Sequence, residues 1–199
     1  MVGAAIMISQ WMIYLVLPMF LYLILPTEKL STKGKGFAFV IIVAVTLIPV
    51  NQITTTGYIR GVTGDISLIS LCWLFTAFVA KVTGKDLVNQ QQRTLNIVTL
   101  CILALVLYPA SLGLVQTDPY VWGYQANNLL IVLAIIGLAM WYAGNYHLTL
   151  WIALAVLGFA FKIMESTNLW DYIIDAWLGI FVISLTIKKL FRRLRSASE

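Results

Sequence analysis

Residues 127–161 read NNLLIVLAIIGLAMWYAGNYHLTLWIALAVLGFAF, and the number of helices in this stretch decides the architecture. As one helix it would run about 50 Å at 1.5 Å per residue. That is far longer than a hydrocarbon layer of about 30 Å, and tilt does not absorb such an excess. Gly144-Asn145 near its middle is a good helix stop, because glycine and asparagine adopt the left-handed conformation that ends a helix. The stretch is therefore expected to form two short spans, 127–143 and 148–161, joined by a tight turn at Asn145-Tyr146-His147.

Working outward, five more apolar runs approach the roughly 20 residues a span requires. They cover residues 3–25, ended by Pro26; 37–53, with Pro49 near its end; 66–82; 95–114, with Pro109 inside; and 172–190. The expectation is an all-α, polytopic bundle of about seven transmembrane helices forming one domain over residues 1–199. Composition agrees. Of the 199 residues, 61% are hydrophobic and 11% charged, with a mean hydropathy of +0.92. A soluble domain is about a quarter charged, and a small protein cannot hide this much apolar surface from water. Connections are short and leave no room for a separate soluble domain. Residues 1–5 carry no Lys or Arg, and the first run is long for a signal peptide, so it reads as a span.

The charges sort by loop. Lys29, Lys33, Lys35, Lys81, Lys85, Arg93, Lys188, Lys189, Arg192, Arg193 and Arg195 occupy alternate loops and the tail, while only Arg60 and Lys162 lie in the other set. Eleven against two, under the positive-inside tendency, predicts an outside N-terminus and a cytoplasmic C-terminus in the plasma or inner membrane. The net charge of +5 is explained by this orientation, so no nucleic-acid partner is expected. The basic tail is expected to anchor on anionic headgroups.

The rarer chemistry falls in the loops expected outside. Five of the eight acidic residues lie there: Asp65, Asp118, Glu165, Asp171 and Asp175. Asp171 and Asp175 are four apart, so a helix starting by Leu169 puts both on one face, with Asp175 about a turn inside the span. The expected ion cluster joins Arg60 to Asp171 or Asp175, with Asp65, Glu165 and Lys162 nearby. Asp65 also suits an N-cap of the third span. Asn51 could line a polar cavity or bond between helices. Tyr58, Trp122 and Trp170 suit an interfacial aromatic belt or stacking on a headgroup.

No motif names a reaction. His147 alone excludes a two-histidine metal or haem site within the chain; Cys72 and Cys101 sit in apolar runs, so neither a metal nor a cofactor is expected. The arrangement resembles microbial rhodopsins in helix number and orientation, but no lysine lies in the interior of 172–190, which sets that class aside. The leading expectation is a subunit or small enzyme of cell-envelope lipid or glycan handling. The site would hold a polar or anionic headgroup: Arg60 and Lys162 would bind the anion, Asp65, Glu165, Asn51, Tyr58, Trp122 and Trp170 would complete the site, and Asp171 or Asp175 would act as general base. Two alternatives stand beside it: a transporter or channel subunit with Asp175 and Asn51 on a solute or proton path, and an assembly scaffold whose ion cluster is structural. Membrane lipids and a larger membrane-protein partner or oligomer are the expected partners.

Overall fold

The fold is that of a computed structural model, which describes the backbone of residues 2–197 and the side chains of residues 12–195. It is all-α apart from one two-residue hairpin. In chain order come α1 (Val2–Ile24), α2 (Thr32–Thr46), β1 (Pro49–Val50), β2 (Ile53–Thr54), α3 (Thr55–Thr63), α4 (Leu68–Thr83), α5 (Gln90–Ser111), α6 (Val121–Tyr124), α7 (Asn127–Tyr142), α8 (Tyr146–Ala160), α9 (Trp170–Ile173) and α10 (Ala176–Ala197). Seven of these are at least 15 residues long, and each falls on one of the seven apolar runs. Among the described residues one helix, α5, is long and apolar enough by itself to cross a bilayer; Met12–Ile24, α4, α7 and α8 are apolar and shorter.

The helix ends follow local chemistry. Ser31 caps α2, and Asn89 forms a reciprocal capping box with Gln92 at the start of α5. Gly84 ends α4 in the left-handed conformation. The stretch 127–161 is indeed broken. α7 stops at Tyr142, Gly144 takes φ +73°, and Asn145 caps α8 through the Leu148 N–H at 3.4 Å. Asn145 is fully buried and donates to Asn96 Oδ1 at 2.6 Å, while Gln92 donates to the Gly144 carbonyl at 2.9 Å. The turn is thus clamped to α5 by two side-chain amides, the Asn145–Asn96 bond being buried.

Three expectations are corrected. The segment after α2 is not an open loop: Asn51 (φ +50°) and Gln52 (φ +68°) make the two-residue turn of the β1–β2 hairpin, and α3 follows. Positive φ at both turn residues is the type I′ signature, which matches strand twist. Asn51 is therefore an exposed turn residue and lines neither cleft described below. Residues 172–190 are not one helix, because Ile174 is extended (φ −147°, ψ 131°) between α9 and α10. Asp171 and Asp175 consequently share no helix face, and Asp175 precedes α10 instead of lying inside it. Finally, Ser67, not Asp65, caps α4.

α1 packs on α2 and α4, α4 on α8, α8 on α7, and α10 on α5. The core draws on Leu100, Ala104, Leu133, Leu148, Ala155 and Val182, all fully buried. At one end of the bundle Lys81 bonds the Leu23 and Leu25 carbonyls that α1 leaves open, at 2.8 and 2.6 Å, and pairs with Glu28. The other end gathers α3, α6, α9 and the start of α10; it carries Asp65, Asp118, Glu165, Asp171 and Asp175, five of the eight acidic residues.

Candidate functional site

The acidic end is built on a buried knot. Asn168 is fully buried; its amide donates to the Tyr120 carbonyl (3.0 Å) and its Oδ1 accepts from the Trp170 N–H (3.0 Å). Trp170 Nε1 donates to the Pro119 carbonyl at 2.8 Å, and Leu169 N to the Gly123 carbonyl at 3.0 Å. Tyr172 is fully buried, with its hydroxyl accepting from the Met164 N–H at 3.1 Å. Gly123 is required here, since a Cβ would lie 1.6 Å from Asn168 Oδ1. The loop after α5 and the loop after α8 are thereby fastened into one floor. Trp170, 2% exposed, is a strut of that floor and not a stacking surface; Trp122, 47% exposed, remains at the surface.

Above the floor lies a cleft of about 580 Å³, lined by Thr63, Asp65, Leu107, Tyr108, Ser111, Asp118, Tyr120, Met164, Ser166, Asp171, Ile174, Asp175 and Ala176. Four of these are carboxylates and none is basic. Asp171 accepts from the Tyr120 hydroxyl (3.2 and 3.1 Å) and from Ser166 Oγ. Burial first, and then the negative charge of Asp171, pushes the Tyr120 phenol above its ordinary range, so it stays protonated as a donor. Asp118 accepts from the Tyr120 N–H at 2.9 Å. Tyr108 is among the lining residues, but its hydroxyl is buried and, among the described residues, meets no hydrogen-bond partner. Its ring sits against Gly179, where a Cβ would lie 2.4 Å from Tyr108 Cε2.

Asp175 plays a different part from the one its sequence position suggests. Oδ1 accepts from the Leu178 N–H at 2.9 Å and caps α10. Oδ2 accepts from the Ser67 N–H (3.0 Å), the Ser67 hydroxyl (2.8 Å) and the Ser70 hydroxyl. One carboxylate thus closes the N-terminal ends of α4 and α10, where both helix dipoles are positive. Sequence reasoning passed over Ser67 and Ser70, although a serine pair three apart before an apolar run is a capping signal.

An ion cluster forms around Arg60 with Asp65 and Glu165, but neither Asp171 nor Asp175 belongs to it. Arg60 Nε pairs with Asp65 Oδ1 at 2.9 Å and Nη2 with Glu165 Oε1 at 2.8 Å, not with Asp171 or Asp175. Those bonds, to Asp65 first and Glu165 second, hold the guanidinium still more firmly charged. The reason for the change is placement: Arg60 is on α3, a helix that turns it toward α1, while serines meet the two deeper aspartates. Arg60, Asp65 and Glu165 border a second cleft of about 560 Å³ with Ile13, Tyr14, Gly57, Gly61 and Gly64. Lys162 is exposed, takes φ +51°, and lines neither cleft. The Tyr58 hydroxyl donates to the Val50 carbonyl at 3.1 Å and braces the hairpin. Among the described residues no group of His, Cys, Asp and Glu converges closely enough to ligate a metal ion.

No protein-family model matches the chain, and neither a curated protein nor a solved structure is detectably similar to it.

Proposed function

We propose that the chain is a seven-span protein of the plasma or inner membrane, with its N-terminus outside and its C-terminus in the cytoplasm. It would serve as a subunit or small enzyme of cell-envelope lipid or glycan handling. Support for the membrane reading comes from the apolar side chains exposed around the bundle, among them Phe37 on α2, Leu138 on α7, Leu157 on α8 and Ile180 on α10. Such a surface would be a severe liability in water and is ordinary in lipid. Support for the orientation comes from the eleven-to-two division of basic residues.

The extracytoplasmic cleft is the binding site in this reading, and its charge sets the ligand class. Asp118, Asp171 and Asp175 face it without a lysine, arginine or histidine in the lining, and Asp65 reaches it from its pair with Arg60. That single observation favours a headgroup carrying an amine or many hydroxyls over the anionic headgroup expected from Arg60 and Lys162. An ammonium group would be attracted by the carboxylates. Within this site Asp171 is the residue suited to proton transfer, since its oxygens already face two hydroxyls, Ser166 and Tyr120. Asp175, with four donors on it, holds the wall.

The test is to purify the chain from membranes in mild detergent and identify the lipids that co-purify. Amine-bearing or glycosylated lipids should be enriched over the bulk membrane and lost in Asp118→Asn/Asp171→Asn. Enrichment of anionic lipids without amines, unchanged in that variant, would refute the reading. Orientation is checked separately with Cys72 and Cys101 replaced. Single cysteines at Thr117 and Ser166 should react with an impermeant reagent from outside, and those at Ser31 and Asn89 should not.

A further inference from the structure

We propose that the chain is matched to a thinned bilayer and holds the lipid around α2, α4, α7, α8 and α10 thinner than the surrounding membrane. This rests on the membrane reading above. α2 and α8 have 15 residues, and α4 and α7 have 16. At 1.5 Å per residue they are about 22–24 Å long. A typical hydrocarbon core is about 30 Å thick, and any tilt makes a helix reach less far across it.

On α7, α8 and α10 polar and aromatic residues mark the limits independently of where a helix is said to end. At the α7–α8 turn Trp141 (59% exposed), Tyr142 (96%) and Tyr146 (54%) stand out from the bundle as interfacial anchors do. At the far ends of these two helices Asn127 and Asn128 are exposed on one and Lys162 follows the other. On α10 the uncharged stretch between Asp175 and Lys188 spans about 20 Å. Lys188 gains a few ångströms by extending its side chain toward the headgroups, which still leaves the span short. The longer helices do not oppose this: α1 has 23 residues and α5 has 22, and α10, also 22 residues long, is uncharged only over its first part. A long helix can tilt into a thin layer, whereas a short one cannot stretch across a thick one. A thinned annulus would also lower the path a polar headgroup travels to reach the cleft.

The experiment reconstitutes the full chain into phosphatidylcholine vesicles with monounsaturated acyl chains of fourteen, eighteen or twenty-two carbons. Thermal unfolding is followed by tryptophan fluorescence. The midpoint should be highest with fourteen carbons and fall by several degrees at each step to the longer chains. Lys188→Leu/Lys189→Leu, which lengthens the apolar part of α10, should reduce the difference between fourteen and eighteen. A midpoint highest in eighteen or twenty-two carbons, or equal in all three, overturns the proposal. Extraction of membranes with alkaline carbonate separates the two levels. A released chain would sink the membrane reading itself; a retained chain that prefers thick vesicles would sink only the thinning.

Discussion

Replacing Asp175 by Asn should cost about 2–4 kcal/mol, and the number can be built from its contacts. The carboxylate accepts four donors: the N–H groups of Ser67 and Leu178 and the hydroxyls of Ser67 and Ser70. If the asparagine oxygen keeps Leu178, its NH2 group faces Ser67, whose backbone N–H is left unpaired. A buried donor without a partner costs about 1–3 kcal/mol, and a charge-assisted bond is exchanged for a neutral one. If the amide is turned the other way, α10 loses its cap, about 1 kcal/mol, and two donors meet. The serine hydroxyls can rotate to accept, so their share is small. Ser70→Ala removes only one donor of four and should cost about 1 kcal/mol. Combining Asp175→Asn with Ser70→Ala should cost less than the two separately, because they share one cluster. Equilibrium unfolding in mixed micelles titrated with dodecyl sulfate, followed by tryptophan fluorescence, measures all three. If Asp175→Asn lies within about 0.5 kcal/mol of the parent, or the double variant is strictly additive, the picture of one carboxylate closing two helices is wrong.

The other expectations are briefer. Arg60→Gln should destabilise more than Glu165→Gln, because Arg60 and Asp65 are each 23% exposed and Glu165 is 47% exposed; about 1–3 kcal/mol against at most about 1 is anticipated in the same titration. Gly123→Ala should displace Asn168 and its two buried bonds, at about 2–4 kcal/mol, and the loss should appear as protease cleavage within 112–120 or 161–169. For Tyr120 the folded phenol is raised above its ordinary range, while the unfolded phenol titrates at about 10. Its contribution is therefore complete below about pH 10 and declines as pH rises toward the folded value. Tyrosinate absorbance should show one fewer late-titrating group in Tyr120→Phe, and an unchanged alkaline titration would rule the assignment out.

The seven longer helices were legible in number because each overlaps one apolar run, although the runs 37–53 and 172–190 did not give the ends of α2 and α10. The break between α7 and α8 was legible because Gly144 permits a backbone that few residues tolerate. What escaped was set by partners distant in sequence. Asn168 is one polar residue among many in its loop, and only its contacts to Tyr120 and Trp170 reveal why it is fully buried. Charge arithmetic correctly put Arg60, Asp65 and Glu165 in one cluster, since few charges fall in that set of loops. It could not anticipate that hydroxyls from Ser67, Ser70, Ser166 and Tyr120 would satisfy Asp171 and Asp175, because serines and tyrosines are common and carry no formal charge to count. The α9–α10 break escaped for a related reason: Ile173-Ile174 looks helical by hydropathy, and the extended backbone at Ile174 follows from how Trp170 and Tyr172 are held.

The clasp between α4 and α10 also sets an order of assembly. Ser67 and Asp175 are 108 positions apart. A ribosome adding roughly 5–20 residues per second needs about 5–20 s to travel that distance. During that interval α4 is already emerging while the carboxylate that closes its N-terminus does not yet exist, and the cleft has no wall on that side. Nascent chains stalled before Asp175 should therefore carry α1–α9 with the N-terminal end of α4 still unclosed, Ser67 and Ser70 awaiting their carboxylate.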